Sequence, residues 1–175
     1  MYGTKTNKLL VGLLLFVSAV FCISTSQAAQ KFTRSQAYGD WTLNCSKDNN
    51  PKTKSKEKCS LQQNIVHKKG SRLLTIKIIK IKKRAEKMAV FAIPLGFYIP
   101  DGAKIIIDKG KSRRLLVTHC IPSGCMAQIS LSRKLFNELS KGKKMYVGVV
   151  TGNRAKKLSF PISLKGISSG LSAIK

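Results

Sequence analysis

The stretch Thr118-His119-Cys120-Ile121-Pro122-Ser123-Gly124-Cys125-Met126-Ala127 decides the fold class of this chain. Between its two cysteines lie Pro122, Ser123 and Gly124, which are residues that favour turns. The flanking segments, 115–117 and 128–131, have the composition of short strands. The pattern therefore predicts a β-hairpin with a disulfide across its neck, provided that the cysteines reach an oxidising compartment.

The N-terminus predicts that the cysteines reach an oxidising compartment, because residues 1–28 have the three parts of a secretory signal peptide. Two lysines precede an apolar run at 9–23, and Ser26-Gln27-Ala28 places small residues where signal peptidase reads them. We predict cleavage after Ala28, export to the periplasm or cell envelope, with surface association or secretion also open, and a single domain over residues 29–175.

Two alternatives to cleavage remain open. The apolar run could stay as a membrane anchor, although its length of about 15 residues is below the roughly 20 that a spanning helix needs. Lipid attachment at Cys22 is the other alternative, and the bulky Phe21 before it disfavours this reading.

The four cysteines outside the signal peptide are expected to form two disulfides, for which three pairings exist. The sequence favours Cys45–Cys59, around a polar loop, and Cys120–Cys125, around the turn. A zinc site is disfavoured because neither pair has the short two-residue spacing of a zinc knuckle. A redox-active dithiol at Cys120 and Cys125 stays an alternative, although redox motifs usually place two residues, not four, between the cysteines.

The remaining apolar pattern predicts an all-β fold. Segments with strand period or composition are 41–45, 59–65, 72–81, 88–93, 105–107, 115–131 as the hairpin, 145–151 and 157–164. One short helix is predicted from Ser132 to Leu139, with Ser132 as its cap. Residues 29–37 are expected to be a loose tail, and 166–175 carry no assigned element. We predict an antiparallel β-sandwich or barrel with one short helix.

The charge predicts an anionic partner. Lysine and arginine number 33 against 7 acids, which gives a net charge of +26. Such a field attracts phospholipid head groups, lipopolysaccharide, glycans or nucleic acid. The densest basic stretch supplies the predicted anion-binding residues, which are Lys77, Lys80, Lys82, Lys83, Arg84 and Lys87. A solvated strand end is the alternative, and nucleic acid is disfavoured because this stretch has no aromatic residue to stack on bases.

Catalytic motifs are largely missing from the sequence. It has no phosphate-binding glycine loop, no two-histidine zinc helix and no close pair of acids. Gly166-Ile167-Ser168-Ser169-Gly170 matches a nucleophile elbow, but that motif needs a later histidine, whereas His67 and His119 both precede it. We therefore predict a protein that is not an enzyme and that uses no cofactor, metal or small-molecule substrate.

Several short motifs together resemble the invasion-associated locus B family of exported proteins from Gram-negative bacteria. In chain order they are Gly39-Asp40-Trp41 with Cys45, Cys59-Ser60-Leu61-Gln62-Gln63, Pro94-Leu95-Gly96, Gly102 to Asp108, Cys120 with Gly124-Cys125-Met126-Ala127, and Phe160-Pro161-Ile162-Ser163-Leu164-Lys165-Gly166. Ile167 stands where the family usually has an aromatic residue.

The resemblance implies a β-sandwich of immunoglobulin-like outline, an envelope location and an association with the invasion of host cells, notably erythrocytes. It implies no catalytic residues. The leading hypothesis is a non-enzymatic envelope protein whose basic surface contacts an anionic surface of the host cell or of the bacterial envelope. The alternatives are a periplasmic or membrane-associated structural protein, and a protein with thiol–disulfide activity at Cys120 and Cys125.

Overall fold

The computed structural model of the chain describes residues 32–47, 57–81 and 86–174. The predicted signal peptide and three of the predicted anion-binding residues, Lys82, Lys83 and Arg84, lie outside these ranges.

Within the described ranges the chain forms ten strands and two α-helices. The strands are β1 (Arg34–Tyr38), β2 (Trp41–Ser46), β3 (Lys58–Val66), β4 (Arg72–Lys80), β5 (Lys87–Ile93), β6 (Ala103–Ile107), β7 (Arg113–Ile121), β8 (Gly124–Leu131), β9 (Lys144–Val150) and β10 (Lys157–Ser163). The helices are α1 (Arg133–Lys141) and α2 (Ile167–Ala173), and a 3-10 helix spans Ile99–Asp101.

The ten strands form one curled antiparallel sheet in the order β1-β2-β3-β4-β5-β8-β7-β6-β9-β10. The sheet curls at strand β7, where Arg113 to Leu115 pair with β6 and Leu116 to Ile121 pair with β8. A register shift between Val117 and His119 accompanies this change of partner, as expected where an irregular strand bends a sheet. The predicted all-β, sandwich-like antiparallel fold is confirmed.

The core lies between the two halves of the curled sheet and is built from alternate strand residues. Trp41, Leu43 and Cys45 of β2 are buried, and so are Leu74, Ile76 and Ile78 of β4. Since successive side chains of a strand point to opposite faces, one face of each strand supplies the core and the other faces outward. The core is therefore continuous from the first half of the sheet to β9 and β10.

Residues 34–38 correct one prediction, because they form strand β1 rather than a loose tail. Arg34 pairs with Cys45, and Tyr38 pairs with Trp41, along the edge of the sheet. Four of the five residues of β1 are exposed, so the segment shows no apolar alternation. Backbone pairing with β2 holds β1 in place, and such pairing leaves no pattern in the side chains.

The C-terminal tail corrects a second prediction, since it contains a second helix. Helix α1 begins at the expected cap, where the Leu135 N–H donates to Ser132 Oγ at 3.3 Å. Helix α2 has a poor intrinsic helix propensity because its seven residues include three serines and a glycine. It is stabilised by burial of Ile167 and Leu171. The nucleophile-elbow match at 166–170 is the start of this helix.

Candidate functional site

The predicted anion-binding residues do not share one face of the sheet. Lys77 pairs with Gln62 and Val90, whereas Lys80 and Lys87 are cross-strand partners. Positions 77 and 80 differ by an odd number, so their side chains point to opposite faces of β4. The structure thus brings Lys80 and Lys87 together and separates them from Lys77.

Lys87 is also engaged by the neighbouring helix. Its Nζ lies 5.5 Å from the centroid of the Phe136 ring of α1, which is a cation–π contact. Lys87 is half-buried, while Lys80 is exposed. Of the three predicted residues that are described, Lys80 is the most exposed.

Lys80 belongs to a larger group of cations at one end of the sheet. Because successive strands run antiparallel, the strand ends that are joined between β2 and β3, β4 and β5, β6 and β7, and β8 and β9 lie at the same end, here called the basic end. Its exposed, described cations outside the strands are Lys47, Lys109, Lys111, Arg133, Lys134, Lys141 and Lys143. A groove of about 800 Å³ between β6 and α1 is lined in part by Arg133, Lys134 and Lys141.

Most acids at the basic end already have protein partners. Arg113 Nη2 lies 2.6 Å from Glu138 Oε1, and Glu57 accepts a 3.0 Å hydrogen bond from the Thr33 hydroxyl. The backbone N–H groups of Lys144 and Lys143 donate to the Asp108 carboxylate, which lowers the pKa of this group. These contacts fix the turns and the helix at this end of the sheet.

The opposite end of the sheet, here called the loop end, is formed by four connections, at 67–71, 94–102, 122–123 and 151–156. A direct contact joins two of them, since the Gly152 N–H donates to the Gly96 carbonyl at 2.7 Å. The ends of β5 and β8 that lead into the 94–102 and 122–123 connections also pack together, with Gly124 against the Ile93 carbonyl. The β1–β2 turn, also on this side by strand direction, packs instead against Lys165 and Gly166.

Each disulfide joins two adjacent strands. Cys45 and Cys59 are register partners on β2 and β3, and Cys120 and Cys125 are register partners on β7 and β8. Glu57 lies beside the first pair, within 3.9 Å of Cys59 Sγ. Both sulfurs there are held in the disulfide, so this Cys-Glu-Cys group offers no thiolate for a metal.

The Cys120–Cys125 disulfide lies at the loop end in a β-hairpin, with Cys120 exposed and Cys125 buried. Redox dithiols that depend on a lowered thiol pKa commonly sit at a helix N-terminus, which this hairpin does not provide. The adjacent His119 places its Nδ1 3.1 Å from Thr118 Oγ1. The geometry is that of a strand-joining disulfide.

We expect that replacing the Cys45–Cys59 disulfide by two serines lowers the free energy of unfolding more than the same replacement of Cys120–Cys125, because the first disulfide closes the larger loop. In the chain-entropy model, the Cys45–Cys59 closure is worth about 3 kcal/mol and the Cys120–Cys125 closure about 2 kcal/mol. Urea denaturation of the two double variants, followed by circular dichroism, measures both losses. A larger loss for the Cys120→Ser/Cys125→Ser variant would contradict this prediction.

A polar depression on the outer face of β2 and β3 was not predicted from the sequence. It has a volume of about 480 Å³ and is lined by Asp40, Thr42, Asn44, Gln62, Gln63 and Asn64. The Asn64 Oδ1 accepts from Gln62 and from Thr75, at 3.1 and 2.8 Å. Thr42 and Asn44 of β2, and Gln62 and Asn64 of β3, are polar at alternate positions, which is a pattern that also suits any solvated sheet face.

A family model described as Invasion associated locus B (IalB) protein matches residues 41–175 of this chain. The chain belongs to the IalB family. Proteins described as Invasion protein B homologs from two Brucella abortus strains, 2308 and biovar 1 strain 9-941, are each 27% identical over 161 residues. Each alignment covers 91% of this chain and 89% of the relative.

The IalB fold is also found in a solved structure. The crystal structure of invasion associated protein B from Bartonella henselae superposes with a TM-score of 0.71 at 18% sequence identity, covering 81% of this chain and 94% of that one. At this identity the likeness supports the fold. None of the helices in the described residues is long and apolar enough to cross a membrane.

The structure brings together two of the segments on which the resemblance to the IalB family rests, Gly39-Asp40-Trp41 and Phe160 to Gly166. The Asp40 N–H donates to the Lys165 carbonyl at 3.1 Å, and Trp41 Nε1 donates to the Ser163 carbonyl at 2.9 Å. Trp41 is fully buried, so this second bond satisfies its indole N–H inside the core. These two motifs therefore close the fold rather than line a reactive site.

Proposed function

We propose that this IalB-family protein is exported to the cell envelope and contributes, without catalysis, to the attachment to or invasion of host cells, erythrocytes among them. Membership of a family named for its association with invasion carries the proposal. The net charge of +26 supports an anionic contact surface on the partner, such as a glycan, lipopolysaccharide or phospholipid.

The basic end is the part of the described surface that suits this contact best. Arg133, Lys134 and Lys141 line the groove beside α1, and Lys80 is exposed at the end of β4. Cations on several connections can contact several anionic groups at once, and this raises the association rate and the salt sensitivity of binding.

Binding of the full-length protein to erythrocytes is expected to fall at least tenfold when the ionic strength is raised from about 0.1 M to about 1 M. Over that range the Debye length shrinks from about 10 Å to about 3 Å, so exposed cations lose most of their attraction. Flow cytometry with labelled protein measures the binding. Salt-independent binding would contradict the proposal.

Two charge-matched variants locate the surface within that experiment. Lys80→Ser/Lys134→Ser/Lys141→Ser removes three charges at the basic end, and the control Lys104→Ser/Lys157→Ser/Lys165→Ser removes three exposed charges elsewhere. At about 1 kcal/mol per cation near an anionic surface, the first variant should bind at least tenfold less tightly than the control. Equal losses would mean that net charge, and not the basic end, governs binding.

A periplasmic or membrane-associated structural role is the second candidate. Protease treatment of intact cells separates the two, because a surface-exposed protein is cleaved and a periplasmic one is protected. For the thiol–disulfide alternative, reduction of insulin by the purified protein would favour it, whereas a Cys120–Cys125 bond that resists mild reductant would count against it.

A further inference from the structure

The exposed large hydrophobic residues are concentrated at the loop end. In the described part of the chain eight such side chains are exposed, and five of them lie within the four loop-end connections or within two residues of them. These five are 43% to 57% exposed, and they are Val66, Leu95, Ile99, Ile121 and Leu158. Single exposed aliphatic residues are normal on any protein, but a concentration at one end points to a contact surface.

The strand ladder and the loop contacts place these residues at one end of the molecule. Ile93 pairs with Cys125, so Leu95 adjoins the hairpin tip that carries Ile121. Phe97 bridges to Thr151, and the Tyr98 N–H donates to the Val150 carbonyl at 2.8 Å, which ties the 94–102 segment to the β9–β10 turn. Ile99 and Leu158 flank that junction.

The aliphatic side chains are carried by separate connections rather than by one flat sheet face. A protein-binding patch usually has a contiguous, well-packed core enriched in aromatic residues. A lipid interface does not require a contiguous patch, because each aliphatic side chain can enter the head-group region on its own. The half-buried Tyr98, whose ring lies 5.1 Å from the Arg154 guanidinium carbon, is an amphipathic residue of the kind enriched at membrane interfaces.

The charges at the loop end indicate that the lipid is anionic. Within its four connections there are four cations, Lys68, Lys69, Arg154 and Lys156, and one carboxylate, that of Asp101. Such an excess of cations around aliphatic tips complements a bilayer that carries anionic head groups.

We propose that the loop end docks on an anionic phospholipid bilayer, with Leu95, Ile99 and Ile121 entering the head-group region. The basic end, which lies at the other ends of the same strands, then faces away from that membrane. This orientation goes beyond the proposed attachment function, because it assigns a separate partner to the opposite end of the molecule.

The test is binding of the full-length chain to vesicles of about 70% phosphatidylcholine and about 30% phosphatidylglycerol, an anionic composition that suits cationic loops. The Leu95→Ser/Ile99→Ser variant should bind about tenfold less tightly or worse, because buried aliphatic area drives insertion. The control Phe32→Ser/Ile106→Ser removes two exposed apolar residues outside the loop end and should bind within about twofold of the unchanged chain. All variants carry the same N-terminal segment, so its contribution to vesicle binding is the same in each, and differences in affinity report on the substituted residues.

Insertion is measured directly with a tryptophan at the tip. Trp41 is the only natural tryptophan and is fully buried, so it contributes a constant background. Leu95→Trp fluorescence should shift to the blue when vesicles are added, and Ile106→Trp fluorescence should not. A shift at both positions or at neither would overturn the proposed orientation.

The remaining outcomes separate this inference from the attachment proposal. If Leu95→Ser/Ile99→Ser loses erythrocyte binding but keeps vesicle binding, the loop end is a protein-binding site and the lipid proposal is wrong. If the chain does not bind vesicles while its erythrocyte binding stays salt-dependent, the lipid proposal fails and the attachment proposal stands. If erythrocyte binding does not depend on salt while vesicle insertion is normal, the attachment proposal fails and the lipid proposal stands.

Discussion

Trp41→Ala is expected to lower the free energy of unfolding by about 4 kcal/mol, within the roughly 3–5 kcal/mol found for large aromatic residues in cores. The side chain is fully buried, and its Nε1 donates to the Ser163 carbonyl across 122 positions of sequence. The substitution therefore leaves a cavity and removes a link between β2 and the end of β10. Urea denaturation followed by far-ultraviolet circular dichroism is the suitable measurement, since the variant has no tryptophan.

Trp41→Phe is the matched variant, because it keeps most of the apolar contact and removes the indole N–H. It should cost about 1–2 kcal/mol, because a hydrogen bond contributes about 0.5–1.5 kcal/mol and the smaller ring loses some packing. Similar losses for the two variants would mean that the hydrogen bond, and not the filled volume, dominates. A loss below about 1 kcal/mol for Trp41→Ala would contradict the central place of this residue in the core.

Gly166→Ala is expected to cost more than about 4 kcal/mol, comparable with the margin of stability of many domains. Gly166 has a φ of +86°, and a Cβ at this position would overlap the Tyr38 carbonyl oxygen. The left-handed backbone alone costs a non-glycine residue about 1–2 kcal/mol. The overlap adds to this cost, because relieving it separates the β1–β2 turn from Lys165 and Gly166.

Gly70→Ala isolates the two contributions. Gly70 has nearly the same φ, +84°, but no other atom lies within 4 Å of the position that its Cβ would take. This control should lose only the backbone cost of about 1–2 kcal/mol. Accumulation of folded Gly70→Ala but not of folded Gly166→Ala supports the prediction, and equal stability of the two variants would contradict it.

Trp41 and Gly166 matter for the same reason. The β1–β2 turn lies at the start of the described chain, and the segment from Ser163 to Gly166 precedes the last helix. Their contacts connect the first strands with the far edge of the curled sheet, and helix α2 packs against Leu61 through Gly170. In this IalB protein, the pairing of these terminal motifs is a requirement of the fold.

Several features were predictable because their causes are local. Alternating apolar residues mark β2, β3 and β4, and the Ser132 cap marks the start of α1, since each depends on neighbours within a few positions. The turn between Cys120 and Cys125 is equally local. Strand β1 and helix α2 were missed because edge pairing and burial against distant residues hold them in place.

The candidate surfaces also combine features that were predictable from the sequence with features that were not. The basic character of 77–87 is visible in the sequence, and so is the opposite parity of Lys77 and Lys80 once a strand is assumed. The cation–π contact of Lys87 with Phe136 was not predictable, because it requires α1 to pack beside β5. The grouping of Leu95, Ile99 and Ile121 was likewise hidden, since each is an isolated aliphatic residue in the sequence.

The sequence by itself determined the all-β class, the first helix, the strongly cationic surface and the resemblance to the IalB family, because periodicity, capping, charge and motifs are properties of short segments. The tertiary structure alone decided the strand order, in which β5 pairs with β8 and β6 with β9. That order sends alternate connections to opposite ends and so separates the basic end from the aliphatic loop end. Pairing between strands distant in sequence depends on the whole core, and for this reason the hairpin around Cys120–Cys125 was predictable, whereas its position beside Leu95 was not.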